Sequence, residues 1–353
     1  MEQQTQQAPA PAKPIQSGRP NHAYRMDTYF ETYFASDVEK FKSSGRLKSG
    51  YPNLDAITNL YPGLYVIGAI SSLGKTTFIH QMCDQIAEAG SHVLFISLEQ
   101  SALELASKSI SRNIAKEDAV HGLTSLQVRR SSPAEPAIQK AINQYMAYAG
   151  RIVIAECNFQ ATIHDIAASV KNYIAKNNVK PVVIIDYLQV IQAEPGSHMT
   201  TKDLVDFHVR VLKKLQSDYQ LTVIVISSIN RQNYMASIDF ESFKESGGIE
   251  YTADVVWGLQ LQCIHDQPFE SSNKINEKRK RILQGKSANP RKIELVCLKN
   301  RFGISSYKCL FDYHPNYDLF KAILPEADSG SLPEDSTDTD GLDSIPENLQ
   351  PQF

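Results

Sequence analysis

The chain has little of what would anchor it in a membrane, export it or staple it together. Its five cysteines, Cys83, Cys157, Cys263, Cys297 and Cys309, form no CxxC pair. Four of them sit among apolar residues, so they read as reduced core thiols rather than as a metal or disulfide framework. No apolar run approaches the roughly 20 residues that span a bilayer. The opening MEQQTQQAPAPAKP is polar and lacks the apolar stretch of a secretory signal. The expectation is a soluble, cytoplasmic protein with no membrane partner. No internal repeat occurs, which argues against a solenoid. Basic residues are missing from the last segment: residues 325–353 carry eight acids and no Lys or Arg.

With 353 residues and 42% hydrophobic content, the chain is long enough to bury a full α/β core. Removing the eight acids of the last segment from the net charge of -3 leaves residues 1–324 at +5. That mildly basic body permits a polyanionic partner without demanding one. The acidic segment is poor in large apolar residues, so 324–353 reads as a disordered tail, either a solubilising appendage or a contact for a partner. Residues 1–25 read as a flexible leader. Between them, 26–45 reads as one amphipathic helix, with Tyr29, Phe30, Tyr33, Phe34, Val38 and Phe41 at helical spacing. It packs either on its own domain or on a neighbouring copy.

From residue 46 to 323 a single folded domain is expected. Strand-like runs are LYVIGA (64–69), HVLFISLE (92–99), RIVIAE (151–156), PVVIIDYL (181–188), LTVIVISS (221–228), ADVVWGLQLQ (253–262), KIELVCLK (292–299) and YKCLFDY (307–313). Helical patterns fall near 76–89, 101–114, 135–148, 162–177 and 202–218. Several strands are unbroken Val/Ile/Leu runs, the mark of burial on both faces. Alternation of this kind predicts an α/β fold: a mostly parallel sheet with helices on both sides.

The stretch AISSLGKT, Ala69 to Thr76, matches GxxxxGK[ST] everywhere but its first position, and it has the required strand before it and helix after it. In that setting backbone N–H groups and a helix N-terminus surround a nucleotide phosphate. Ser71, Ser72, Leu73, Gly74 and Thr77 belong to this cradle, Lys75 reaches the phosphate oxygens, and the Thr76 hydroxyl ligates Mg²⁺. Hydrolysis also needs a metal-side carboxylate and a group that activates water. Asp186, at the end of PVVIID, is placed to hold the ion through water; Glu99, at the end of HVLFISLE, is placed to polarise the attacking water. Each acid taken alone could simply cap the next helix.

SGYPNLDAI…GLYVIGAISSLGKT, FISLEQS, VVIIDYLQVI, ISSINRQN, FKESGGIEYTADVV and LKNRFG follow one another in an order that resembles the DnaB-like replicative helicase motor, also found in primase-helicases of the Twinkle type. The resemblance covers residues 46–315. It implies a RecA-like P-loop ATPase with an antiparallel edge extension, assembled as a homo-hexamer that binds ATP between subunits and single-stranded DNA in its channel, with 5'-3' movement. By position it assigns Glu99 as catalytic base, Asp186 as the metal-side acid, and Lys299 and Arg301 as cations reaching the adjacent subunit's γ-phosphate. Arg231 and the segment with Lys244, Glu245, Ser246, Gly247 and Gly248 align with DNA-contacting loops. Residues 26–45 would be the linker helix that docks on the next subunit.

Three features depart from or lie outside that pattern. Ser228 stands where the family carries a glutamine that senses γ-phosphate. The stretch before the motor is too short for the family's helical collar or a primase, so the expectation is a motor alone, with primase or loader as separate partners. The run KINEKRKRILQGKSANPRK (274–292) has eight Lys/Arg against one Glu, and reads as a solvated basic loop or a nucleic-acid contact. An ATPase that regulates or loads on DNA without unwinding is the alternative reading.

Overall fold

The computed structural model describes residues 23–44, 47–230, 236–243, 247–265 and 272–324. The described part opens with helices α1 (Met26–Thr32), α2 (Phe34–Ser44) and the single turn α3 (Pro52–Asp55). Then come β1 (Gly63–Ala69), α4 (Lys75–Glu88), β2 (Val93–Ser97), α5 (Ala102–Glu117), α6 (Ser125–Arg130), α7 (Pro136–Ala149), β3 (Ile152–Glu156), α8 (Ile163–Asn177) and β4 (Val182–Asp186). The remainder is α9 (Thr201–Tyr219), β5 (Thr222–Ser228), α10 (Gly247–Thr252), β6 (Val255–Leu261), α11 (Ser272–Ser287), β7 (Arg291–Asn300), β8 (Lys308–His314) and β9 (Leu319–Ile323).

Among the described residues, nine strands form one sheet in the order β3-β2-β4-β5-β1-β6-β7-β8-β9. The first six run parallel, and β7, β8 and β9 extend the sheet antiparallel from β6. This is the expected fold class. β1, β2, β4 and β6 are buried along their whole length, because helices cover both faces of the parallel part; their sequences therefore show no alternation. β3 lies at the sheet's edge and is partly exposed. In the extension, KCLFDYH of β8 alternates buried and half-buried side chains, as a strand packed mainly on one face does.

Four expectations need correction. The predicted strand 181–188 stops at Asp186, and Leu188–Val190 is a turn of 3-10 helix; the apolar Leu188 that prolonged the run is buried beside the sheet rather than in it. The helix over 26–45 is broken at Tyr33 into α1 and α2, neither with a buried residue. The basic run is not a loop: most of it is α11, and its Arg291 and Lys292 open β7. Finally β9, a five-residue strand, has no counterpart among the expected strands.

In a parallel sheet the crevice beyond the strands' carboxyl ends is where ligands settle. Here the loop after β1, Glu99 after β2, Asp186 at the end of β4 and Ser228 at the end of β5 all arrive at that edge.

Candidate nucleotide-binding site

β1 delivers the chain to this edge at Ala69, paired with Ser228 on one side and Leu259 on the other. The following loop cannot continue as strand, since Ser72 (φ 69°) and Gly74 (φ 85°) are both left-handed. Glycine is needed at 74 twice over. The conformation disfavours a side chain, and a Cβ there would lie 2.8 Å from the Tyr313 ring. α4 then starts at Lys75, so the amides of its first turn, which have no intrahelical acceptor, face the loop. Lys75 folds back and its Nζ donates to the Ala69 carbonyl at 2.7 Å.

The result is a pocket of about 400 Å³ lined by Ser71, Ser72, Gly74, Lys75, Thr76, Thr77, Glu99, Asp186 and Ser228, together with Lys108, Tyr313 and Asp318. Leu73 is completely buried in the core, so only its backbone is available to a phosphate. Glu99 sits in a braced turn: the Ser97 hydroxyl accepts from Gln100 N–H at 3.1 Å, and Ser101 with Glu104 forms a capping box at the start of α5.

Burial pushes the Asp186 carboxyl up to about 6, with the Glu99 charge adding to the effect; a hydrogen bond from Thr76 and the nearby Lys108 and Lys75 cations oppose it. Burial also lowers the Lys75 ammonium, against the pull of Asp186 and Glu99. Asp186 Oδ2 is buried with no hydrogen-bond partner among the described residues. A buried carboxylate oxygen beside a threonine hydroxyl is a hard-oxygen donor set of the kind Mg²⁺ takes. The residues present fit that ion.

Four side chains that the sequence reading missed build the other wall. The Thr77 hydroxyl donates to Asp318 Oδ1 at 3.0 Å, and Lys108 Nζ lies 3.4 Å from that hydroxyl and 3.8 Å from Asp318. Tyr313 backs Gly74. Arg291 Nη1 donates to the Ser72 carbonyl at 2.6 Å. Behind them a buried ion pair between Arg112 and Asp84 holds the β8–β9 turn, because Arg112 Nε donates to the Asp318 carbonyl at 2.9 Å.

Lys299 and Arg301 do not join this pocket. Asn300 pairs with Val255, which is level with Tyr65 near the start of β1, so both cations lie at the opposite edge of the sheet. Lys299 Nζ donates to the Glu250 carbonyl, and Arg301 bonds Asp254 Oδ1 at 3.1 Å and the Tyr251 carbonyl at 3.3 Å. Arg231, Lys244, Glu245 and Ser246 lie outside the described residues. The base of their segment is described: Ile229 bridges to Phe243, and Asn230 N–H donates to the Ser242 carbonyl at 2.7 Å. Gly248 N–H donates to Asp206 Oδ1 at 2.9 Å.

The model of the DnaB-like helicase C terminal domain matches residues 46–322. The chain belongs to this family. A "Probable replicative DNA helicase" of Trieres chinensis is 25% identical over 284 residues, covering 78% of this chain and 60% of the relative. "Replicative DNA helicase DnaB" of Haemophilus influenzae is 24% identical, covering 67% of this chain and 50% of its own. The chain thus spans only half to three-fifths of the length of these relatives. Among solved structures, an ATPase domain superposes with a TM-score of 0.64 at 20% identity, covering 84% of this chain and 99% of that one. "The Structure Of A DnaB-Like Replicative Helicase And Its Interactions With Primase" gives 0.64 at 19% identity over 85% of this chain and 67% of that one. The matched stretch begins before α3 and ends within β9. Among the described residues no helix is long and apolar enough to cross a membrane.

Proposed function

We propose that this chain is the motor of an ATP-driven DNA helicase, hydrolysing ATP at the interfaces of a ring to move 5'-3' along single-stranded DNA during replication in the cytoplasm. The observation that carries the reading is a division of the site. Lys75, Thr76, Glu99 and Asp186 share one pocket, while Lys299 and Arg301 lie across the sheet. A cation on the far edge can serve a nucleotide only if a second copy brings its own far edge to the pocket. That arrangement makes hydrolysis conditional on subunit alignment, which is what a ring motor requires.

In this reading the loop amides and Lys75 hold the phosphates, and Glu99 takes the proton of the attacking water. Mg²⁺, held by Thr76 and through water by Asp186, neutralises charge on the phosphates when bound. Arg301 and Lys299 stabilise the developing charge from the neighbouring subunit. Arg231 and the segment Lys244, Glu245, Ser246, Gly247 and Gly248 meet the DNA backbone in the channel. α1 and α2, with Phe30, Tyr33 and Phe34 exposed, dock on the next subunit in a homo-hexamer. A separate primase or loader completes the machinery.

Strand displacement on a forked duplex tests this reading, beside a Lys75→Ala control and mass measurement with ATP and single-stranded DNA. The expected result is ATP-dependent opening by a six-copy species, abolished in the control. A monomer that hydrolyses ATP without DNA overturns it.

A further inference from the structure

β4 and β5 pair from Val183↔Val223 to Ile185↔Val225 and no further, because the chain leaves β4 at Asp186 and turns through Leu188–Val190. β5 continues three residues beyond that point, to Ser228. Its last peptide groups have lost the ladder on that side, and a donor left unpaired there is destabilising. Gln189 fills the gap. Its Oε1 accepts from Ser228 N–H at 3.0 Å and its Nε2 donates to Ser227 Oγ at 2.8 Å. The fully buried Ser227 hydroxyl in turn lies 3.3 Å from the Ser228 carbonyl. One amide side chain therefore grips the end of β5 by two bonds.

That grip sits between two functional regions. Three residues upstream of Gln189 is Asp186, in the nucleotide pocket. Ser228 itself lines the pocket and pairs with Ala69 at the root of the phosphate loop. One residue further on, Ile229 and Asn230 form the closed base of the segment that carries Arg231. Gln189 therefore ties the turn that follows β4 to the end of β5.

We infer that Gln189 is a positioning residue that transmits the state of the Asp186 turn to the end of β5 and its following segment, through Ser227 and Ser228. This rests on the motor reading above and adds to it the route by which nucleotide and DNA sense each other. Residues along such a link typically alter coupling by about 0.5–2 kcal/mol, roughly twofold to thirtyfold.

The test uses the full chain with Gln189→Met, Ser227→Ala and the double variant. Three quantities are measured: affinity for a non-hydrolysable ATP analogue, hydrolysis without DNA, and hydrolysis with saturating single-stranded DNA. Gln189→Met is expected to keep affinity and DNA-free hydrolysis within about twofold of wild type, while DNA stimulation falls about tenfold. Ser227→Ala, a smaller change, is expected to lose about threefold, and the double variant to be no worse than Gln189→Met, as residues acting in one network do. Wild-type stimulation in Gln189→Met, or an equal loss with and without DNA, overturns the inference alone. A wild-type chain that DNA does not stimulate overturns the motor reading and this inference with it.

Discussion

Arg291, the first residue of β7, donates from Nη1 to the carbonyl of Ser72, 219 positions earlier, at 2.6 Å. Its guanidinium also lies 5.7 Å from the centre of the Tyr313 ring, the ring against which Gly74 is packed. The left-handed turn at Ser72 is thus held from outside the loop, by the antiparallel extension. A charge-assisted bond of this kind is worth about 1.5–3 kcal/mol. Arg291→Ala is expected to weaken ATP binding about tenfold. Arg291→Lys should fall between the two, since an ammonium cannot both bond the carbonyl and stack on the ring. Equilibrium nucleotide titration decides; an unchanged affinity would mean that the loop keeps its shape unaided.

That bond also marks where sequence reading stops. The strands and the phosphate loop are legible because their signals are local: an apolar run, a glycine where the backbone turns left-handed, a lysine that opens a helix. Glu99 and Asp186 can be placed because each ends a recognisable strand. Lys108, Tyr313, Asp318 and Arg291 cannot, because nothing near them in sequence refers to the loop; the folding back of β8 and β9 brings them there. α11 is hidden for a different reason. Six Lys/Arg mask a helical pattern in which Ile282 is buried, and charge density of that kind reads as a solvated loop.

Asp186 gives a prediction with a definite sign. Its folded-state pKa, about 6, lies above its ordinary 3.8. Without nucleotide or Mg²⁺ the native state binds the extra proton between those values, so stability present below about pH 4 is lost as pH rises through 6. Asp186→Asn removes the titration and keeps an oxygen for Thr76. The metal-free variant should be more stable than wild type at pH 7.5 by at most about 3 kcal/mol, and the gap should close toward pH 4. Adding Mg²⁺ and nucleotide should reverse the order, because wild type gains binding energy that the variant lacks. Thermal melts at four pH values, with and without ligand, read both effects; a gap that does not vary with pH would refute the account.

The two neighbouring glycines of α10 are predicted to behave differently. A Cβ on Gly247 would come no nearer than 4.0 Å to the Lys202 side chain, whereas one on Gly248 would fall 2.0 Å from Asp206 Oδ1 and 3.1 Å from its Cα. Gly248→Ala must therefore displace the Asp206 side chain and break its bond from the residue 248 N–H. Single-stranded DNA affinity is expected to drop about tenfold in Gly248→Ala and less than about twofold in Gly247→Ala. Fluorescence anisotropy with a labelled oligonucleotide checks this, and equal affinities would count against the proposed DNA contact at α10's amino end.

Arg301 offers the sharpest test of a shared site. Because it lies at the edge of the sheet opposite Ala69, Arg301→Ala should leave nucleotide affinity of each subunit intact and lower DNA-stimulated hydrolysis about a thousandfold, the scale seen when a trans-acting arginine is removed. Glu99→Gln should fail by a comparable margin for an independent reason. Mixed before ring assembly, the two dead variants should regain activity. Wherever an Arg301→Ala subunit supplies Glu99 and a Glu99→Gln neighbour supplies Arg301, one interface holds a complete set of groups. Random mixing in equal amounts makes about a quarter of interfaces complete, so partial recovery well above either variant alone is expected. No recovery, with rings of normal size confirmed by mass, would place the arginine's action within its own subunit and contradict the geometry of β6 and β7.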